Sequence, residues 1–273
     1  MALKPSGSGQ VWPSGAPPIF AEAAIMIDAN SGRTIYEKNA DQRRAVASTQ
    51  KLLTAMMVAE KPLDARLRVE TIDTLVPPSR LGLRPGETYT RRELLSAMMV
   101  RSSNDAANTL ARNHSGSLET FLREMNQRAR YFGAHDSYFA NVHGLPARQY
   151  STARDIARIA YHAYRTPELR PFMTLQGYAF RHANGRVTRL EATNKLLERS
   201  SAYDGMKTGY TSAAGRCLVS SMNYRGRRVI LVQLGSRTRD IFGDAERLMA
   251  WGARQTGGLF ADTVSQEISQ TQL

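Results

Sequence analysis

A serine and a lysine three residues apart, Ser48 and Lys51, stand inside the apolar run "AVASTQKLLTAMM" at residues 45–57. On a helix this spacing puts both side chains on one face, within hydrogen-bonding reach. A lysine among Leu52, Leu53 and Met56 is desolvated, which disfavours its charged form. An amine that is neutral near pH 7 can take a hydroxyl proton, so the pair could make Ser48 a nucleophile without a histidine. The same residues allow a plainer reading, in which Ser48 caps the helix and Lys51 reaches out to water.

Two further clusters carry chemistry-bearing residue types. In "RSSNDAAN", Ser102, Ser103 and Asn104 fall between two helical patterns. Ser102 could relay a proton to a leaving group, and the Asn104 amide could position a peptide bond; taken singly, both read as turn formers. Ser221-Met222-Asn223, in a predicted strand, repeats the same spacing. "DGMKTGYTSAAG" puts Lys207, Thr208 and Gly209 on a strand running into a turn. A lysine with a threonine hydroxyl suits a carboxylate, and a glycine beside them lets a ligand approach the strand backbone. Singly, this is an edge strand with an exposed lysine. Of the 37 basic residues only six are lysines (Lys4, Lys38, Lys51, Lys61, Lys195 and Lys207), and two of these fall in the motifs. The one cysteine, Cys217, reads as a small buried hydrophobe and excludes an intramolecular disulfide. Five histidines scattered along the chain show no metal-ligand spacing, so no metal and no cofactor is expected.

The elements that must position these residues follow from periodicity. The first 20 residues, rich in Gly, Ser and Pro, read as a flexible segment with no apolar core of a signal peptide. "AAIMIDANSGRTIYEKN" reads as two strands about a turn at Asn30-Ser31-Gly32, followed by the Ser48/Lys51 helix. From about residue 62 to 195 the pattern is helical, with apolar residues at three-to-four spacing, and Thr90 and Ser151 or Thr152 stand as N-cap candidates. "CLVSSMNYRGRRVILVQLG" then reads as two strands about a Tyr224-Arg225-Gly226 turn, "GDAERLMAWGARQ" as a closing helix, and the chain from Gly257 as a loose polar tail. Strands at both ends and helices between them predict an α/β (α+β) fold: one antiparallel sheet flanked by helices, with a helical lobe and a cleft between the two. The expected division is a sheet lobe from 21–61 and 200–256 and a helical lobe from 62–199. The sequence contains no run of 18 apolar residues, so no transmembrane helix is expected. The net charge of +13, almost all arginine, comes without a basic motif interleaved with aromatics, so nucleic acid is not an expected partner.

S-x-x-K, S-x-N and K-T-G in this order form the motif set of penicillin-binding proteins and class A β-lactamases. Together with "SNDAANTLA", "FANVHGL", "YSTARDIARIA", "TNKLL", "YDGMKTGYTSAAGRCLV" and "ERLMAWG", the sequence resembles the D-alanyl-D-alanine carboxypeptidases over about residues 21–255. The resemblance implies the β-lactamase/transpeptidase-like fold, Ser48 as acylated nucleophile, Lys51 as its base, and Ser102 and Asn104 in the cleft. It further implies Lys207 and Thr208 on the substrate's terminal carboxylate, with Arg237 or Arg239 beside them, and an oxyanion hole from the Ser48 and Tyr210 N–H groups next to Gly209. His143 becomes structural. Implied partners are peptidoglycan peptides ending in D-Ala-D-Ala and β-lactams as covalent inhibitors, and the implied location is extracytoplasmic, with the signal peptide missing from the chain. Typical members continue into a C-terminal β-domain and a membrane anchor; this chain stops after its closing helix, as shorter members do, some of which are endopeptidases.

Three alternatives stay open. A D,D-endopeptidase would act on cross-bridges. A serine β-lactamase shares all three motifs, but its deacylating glutamate motif is absent; "RTPELRPF" offers only Glu168. A non-catalytic muropeptide or β-lactam binder has no need of a buried amine.

Overall fold

A computed structural model of the protein describes residues 15–237 and 240–270, with side chains described as far as residue 255. Strands β1 (Ala23–Asp28) and β2 (Thr34–Lys38) form the predicted N-terminal hairpin. Asp28 closes its turn by accepting hydrogen bonds from the Asn30 and Ser31 backbone N–H groups. A short 3-10 turn (Ala47–Gln50) leads into α1 (Lys51–Ala59), every residue of which is buried. There follow β3 (Arg66–Arg68), α2 (Thr71–Thr74), β4 (Thr88–Thr90), α3 (Arg91–Arg101), α4 (Asn104–Ser115), α5 (Leu118–Tyr131), α6 (Ala153–Tyr164) and α7 (Arg170–Met173). The chain closes through β5 (Gly177–Arg181), β6 (Val187–Glu191), α8 (Leu196–Arg199), β7 (Tyr203–Thr211), β8 (Gly215–Tyr224), β9 (Arg227–Ser236) and α9 (Ile241–Gln270).

The main sheet is antiparallel and has the order β2-β1-β9-β8-β7, so strands from the two ends of the chain meet at β1 and β9, with Ile27 opposite Ile230. All six residues of β1 are buried, as a strand covered on both faces requires. Its alternate residues divide between two cores. Ala23, Ile25 and Ile27 join Leu52, Leu94 and Ile156 on the helical side, whereas Ala24 and Met26 join Leu248 and Met249 of α9 on the other. Helix α1 packs against α3, α4, α5 and α6 and also touches β7 at the sheet edge. That central position brings the Ser48–Lys51 segment against both the helices and the last strand of the sheet.

The caps follow the sequence. Thr90 opens α3 in a capping box with Glu93, and Thr152, not Ser151, caps α6 through the Asp155 N–H. The stretch 62–195 is not helical throughout, because it holds two two-stranded antiparallel sheets, β3 paired with β4 across α2 and the β5–β6 hairpin. In β5 and β6 only the fourth residue of each strand, Phe180 and Leu190, is buried, so no apolar alternation marks them. Their one sequence signal is the Asn184-Gly185 pair, with Gly185 at φ +86 in the turn. The tail expected to be loose from Gly257 continues as the backbone of α9 to Gln270; its side chains lie outside the described residues, as do residues 1–14 of the expected flexible start. Among the described residues no helix is long and apolar enough to cross a membrane.

Candidate active site

The turn bearing Ser48 is bent by its predecessor: Ala47 has φ +48, a left-handed conformation that L-residues adopt at a cost. Thr49 ties the turn down, its hydroxyl donating to Val46 O at 2.7 Å. Ser48 therefore sits one turn before the helix proper, half-exposed at the cleft, while Lys51 opens α1 at 0% exposure. The predicted proximity holds, with Lys51 Nζ 2.9 Å from Ser48 Oγ.

The lysine's other partners come from elsewhere in the chain. Asn104 Oδ1 accepts from Nζ at 2.6 Å, the His143 carbonyl accepts at 2.9 Å, and Ser102 Oγ lies at 3.4 Å. Ser102 takes its place by a left-handed C-cap, φ +65, that ends α3 and turns the chain into α4. Asn104 then starts α4 and donates through Nδ2 to Pro78 O at 2.7 Å. Next to it, the buried Asp105 carboxylate accepts from the backbone N–H groups of Leu81, Gly82 and Leu83 at 3.0, 2.9 and 3.2 Å. These bonds fix the loop at 78–83 as one wall of the cleft.

The His143 carbonyl was not legible in sequence. The loop "NVHGL" folds on Asn141, whose Oδ1 accepts from His143 N and Gly144 N and whose amide donates to Leu145 O. Gly144, at φ +87, lies so close to the turn bearing Ser48 that a Cβ would be 2.0 Å from Ala47 O. The carbonyl thus faces both Lys51 Nζ and Ser48, whose hydroxyl donates to it at 3.1 Å. The imidazole itself is structural: its Nδ1 accepts from Leu145 N, and burial together with the Lys51 charge pushes its pKa down to about 3.

Lys207, Thr208 and Gly209 lie on β7, the edge strand facing the turn. The lysine is not exposed as a plain edge-strand reading would have it; at 1% exposure its Nζ donates to Thr208 O at 2.9 Å. Burial pushes its pKa down to about 7. Lys51 is held well below the ordinary lysine value, chiefly by burial and then by the Lys207 charge, with Asp105 acting weakly against them. Thr208 Oγ1 meets Thr193 Oγ1 at 2.7 Å, and Tyr210 stands 64% exposed at the cleft mouth.

Ser48, Ser102, Thr193, Thr208, Gly209 and Tyr210 line a cleft of ≈ 640 Å³, with Lys51 and Lys207 buried behind it; Arg80, Arg101 and Arg216 also line it, all passed over in the sequence as part of a dispersed basic surface. Its described lining contains no carboxylate; Glu168 is exposed before α7 and does not reach it. Arg237 pairs with Glu22 at 3.1 Å and is not among the residues that line the cleft. Arg239 lies outside the described residues. Among those described, no group of three or more His, Cys, Asp or Glu side chains could hold a metal.

The sequence profile described as D-alanyl-D-alanine carboxypeptidase matches residues 11–238. The chain belongs to that family. It is 31% identical to the D-alanyl-D-alanine carboxypeptidase DacF of Bacillus subtilis over 80% of its length, and spans 58% of that relative. It is 32% identical to a D-alanyl-D-alanine endopeptidase of Escherichia coli, covering 86% of this chain and 78% of that one. Among solved structures, the Streptomyces K15 DD-transpeptidase superposes with a TM-score of 0.82 at 29% identity, covering 87% of this chain and 98% of that one. The mixed α/β fold with its antiparallel sheet is the fold of these peptidases.

Proposed function

We propose that the chain is a serine D-Ala-D-Ala carboxypeptidase acting on peptidoglycan stem peptides through an acyl-enzyme on Ser48, and that β-lactams acylate it and thereby inhibit it. One observation carries the reading. A fully buried Lys51 amine has two acceptors, Asn104 Oδ1 and His143 O, within reach, and of the two hydroxyls near it Ser48 Oγ at 2.9 Å is closer than Ser102 Oγ at 3.4 Å. A neutral amine has two N–H donors and one lone pair; the acceptors take the donors, and the lone pair is left for the Ser48 proton.

The steps follow from that ring of contacts. Lys207 and Thr208 hold the terminal carboxylate, and the backbone N–H groups of Ser48 and Tyr210 receive the scissile carbonyl oxygen. As Ser48 Oγ attacks the carbonyl carbon, its proton passes to Lys51 Nζ, and the oxyanion is held by the two N–H groups. The C–N bond then breaks, and the proton travels from Lys51 through Ser102 to the departing D-Ala amine. Water hydrolyses the ester, with Lys51 again taking a proton, and Ser48 is restored. The described cleft wall holds no carboxylate in the role of the deacylating glutamate of class A β-lactamases, which argues against a β-lactamase. The substrate lies outside the cytoplasmic membrane, and so does the protein at work.

Purified protein incubated with a fluorescent penicillin and read by intact mass tests this beside the Ser48→Ala variant. A stable adduct lost in the variant, with D-Ala released from a pentapeptide, is expected. An intact drug with no adduct points to a binder, and a hydrolysed drug with no adduct to a β-lactamase. The likeness to a relative named as an endopeptidase favours a second assay, hydrolysis of a cross-linked dimer.

A further inference from the structure

A second groove of ≈ 380 Å³ adjoins the cleft, and Arg80 and Arg101 line both. Its far side is the β5–β6 hairpin, which adds Arg186 and Arg189. None of these four arginines is in an ion pair among the described residues. The one acid of the groove, Glu191, is 83% exposed in its side chain and turned to Lys195 at 3.9 Å.

Both walls are held in place before any ligand arrives. Asp105 and Asn104 fix the loop carrying Arg80, as above. The hairpin is pinned by Phe180, packed against Tyr89 with ring centroids 5.1 Å apart, and by the Ala183 N–H, which donates to the Tyr89 hydroxyl at 3.1 Å. His182, 5% exposed, bonds Thr188 Oγ1 through Nε2 and sits 3.4 Å from an Arg186 nitrogen.

Thr193, which lines the cleft and not the groove, relates the two. From Glu191 at the end of β6, two residues bring the chain to Thr193, whose hydroxyl meets that of Thr208. If Thr208 holds the carboxylate of the leaving residue, the groove begins beyond that carboxylate, on the leaving-group side. A departing D-Ala has nothing to put there.

We infer that the groove is a leaving-group subsite for a second carboxylate, so that the preferred leaving amine is an acidic residue or peptide larger than alanine. This rests on the proposed function for its orientation. An arginine fork binds a carboxylate with two parallel hydrogen bonds, and four exposed forks, without an ion pair among the described residues, line this groove.

The test uses acyl-D-Ala-X peptides in which X is D-Ala, D-2-aminoadipate, or the side-chain amide of D-2-aminoadipate. The carboxylate form is expected to exceed its amide in kcat/KM by roughly tenfold, a ratio that falls as salt screens it. Arg186→Gln and Arg189→Gln should each cut the ratio roughly three- to fivefold and leave D-Ala release unchanged. Equal rates for acid and amide, or variants that slow all three substrates alike, overturn the inference. Calorimetry of the two aminoadipate peptides with Ser48→Ala reads the same discrimination without turnover. Wild-type protein that cleaves none of the peptides refutes the proposed function, while the calorimetric preference still decides the subsite.

Discussion

Gly209 on β7 lies against the backbone of Ser48, so close that a Cβ there would stand 2.7 Å from Ser48 N and 2.9 Å from Ala47 Cβ. Both obstacles belong to the turn at Ala47, which the Thr49 hydroxyl ties to Val46 O, and cannot swing away as a side-chain tip would. Gly209→Ala should therefore push β7 from Ser48 and spoil the pair of N–H groups assigned to the oxyanion. Acylation by penicillin is expected to slow by about 100-fold, the scale of a 1 Å misplacement. Stopped-flow acylation rates measure it, and a rate within threefold of wild type would remove Gly209 from the site's geometry.

The acylation rate should have a bell-shaped pH profile. It rises as Lys51 loses its proton below the ordinary lysine range, and it falls above about 7 as Lys207 loses the charge that holds the carboxylate. A neutral β-lactam ester lacking the carboxylate should keep the rising limb and lose the falling one. A falling limb for that ester as well would reassign the upper step.

Stability has its own pH dependence. Lys207 has a folded pKa of about 7 against an ordinary 10.5, so between these values the unfolded chain binds a proton that the folded one does not. Stability must then rise with pH through that window, and Lys51 adds slope of the same sign. Melting temperatures from pH 7 to 9 should climb for wild type and climb less for Lys207→Met. Parallel curves for the two proteins would contradict the buried-cation account.

His143→Ala separates a side chain from its carbonyl. The imidazole touches no reacting group, so acylation should stay within about threefold, while the lost bond to Leu145 N costs about 1 kcal/mol. Asn141→Ala should do the reverse damage, because Asn141 shapes the loop that presents the carbonyl. Penicillin acylation and denaturant melts of both variants check the contrast.

Asp105→Ala should lower stability by about 3 kcal/mol, since three backbone N–H groups lose a charged acceptor. It should also weaken acylation, by freeing the loop whose Pro78 carbonyl holds Asn104. Chemical denaturation with the same acylation assay reads both.

The sequence disclosed the side chains of the site because their types are unusual where they stand: a lysine in an apolar run, and a lysine-threonine-glycine step in a chain poor in lysine. It disclosed the sheet and the long helices because apolar periodicity follows burial. Backbone groups have no such signature. The His143 and Pro78 carbonyls are set by turns closed through Asn141 and Asn104, and a carbonyl is the same in every residue. The β5–β6 hairpin was hidden because each strand buries one side chain, too few for a period. The rim arginines stood among 37 basic residues with nothing in the letters to single them out.

Lys51 draws its partners from residues 53 and 92 positions further along the chain, and β7 comes later still. A chain made only as far as α1 already has the serine and the lysine, but its amine is wet, protonated and inert. If Ser48 is the acylated residue, its hydroxyl is switched on only once β7 has docked beside it through β8 and β9, so labelling by penicillin would count finished molecules. The site acts as an inspector of its own assembly, silent in any fragment that ends before β7.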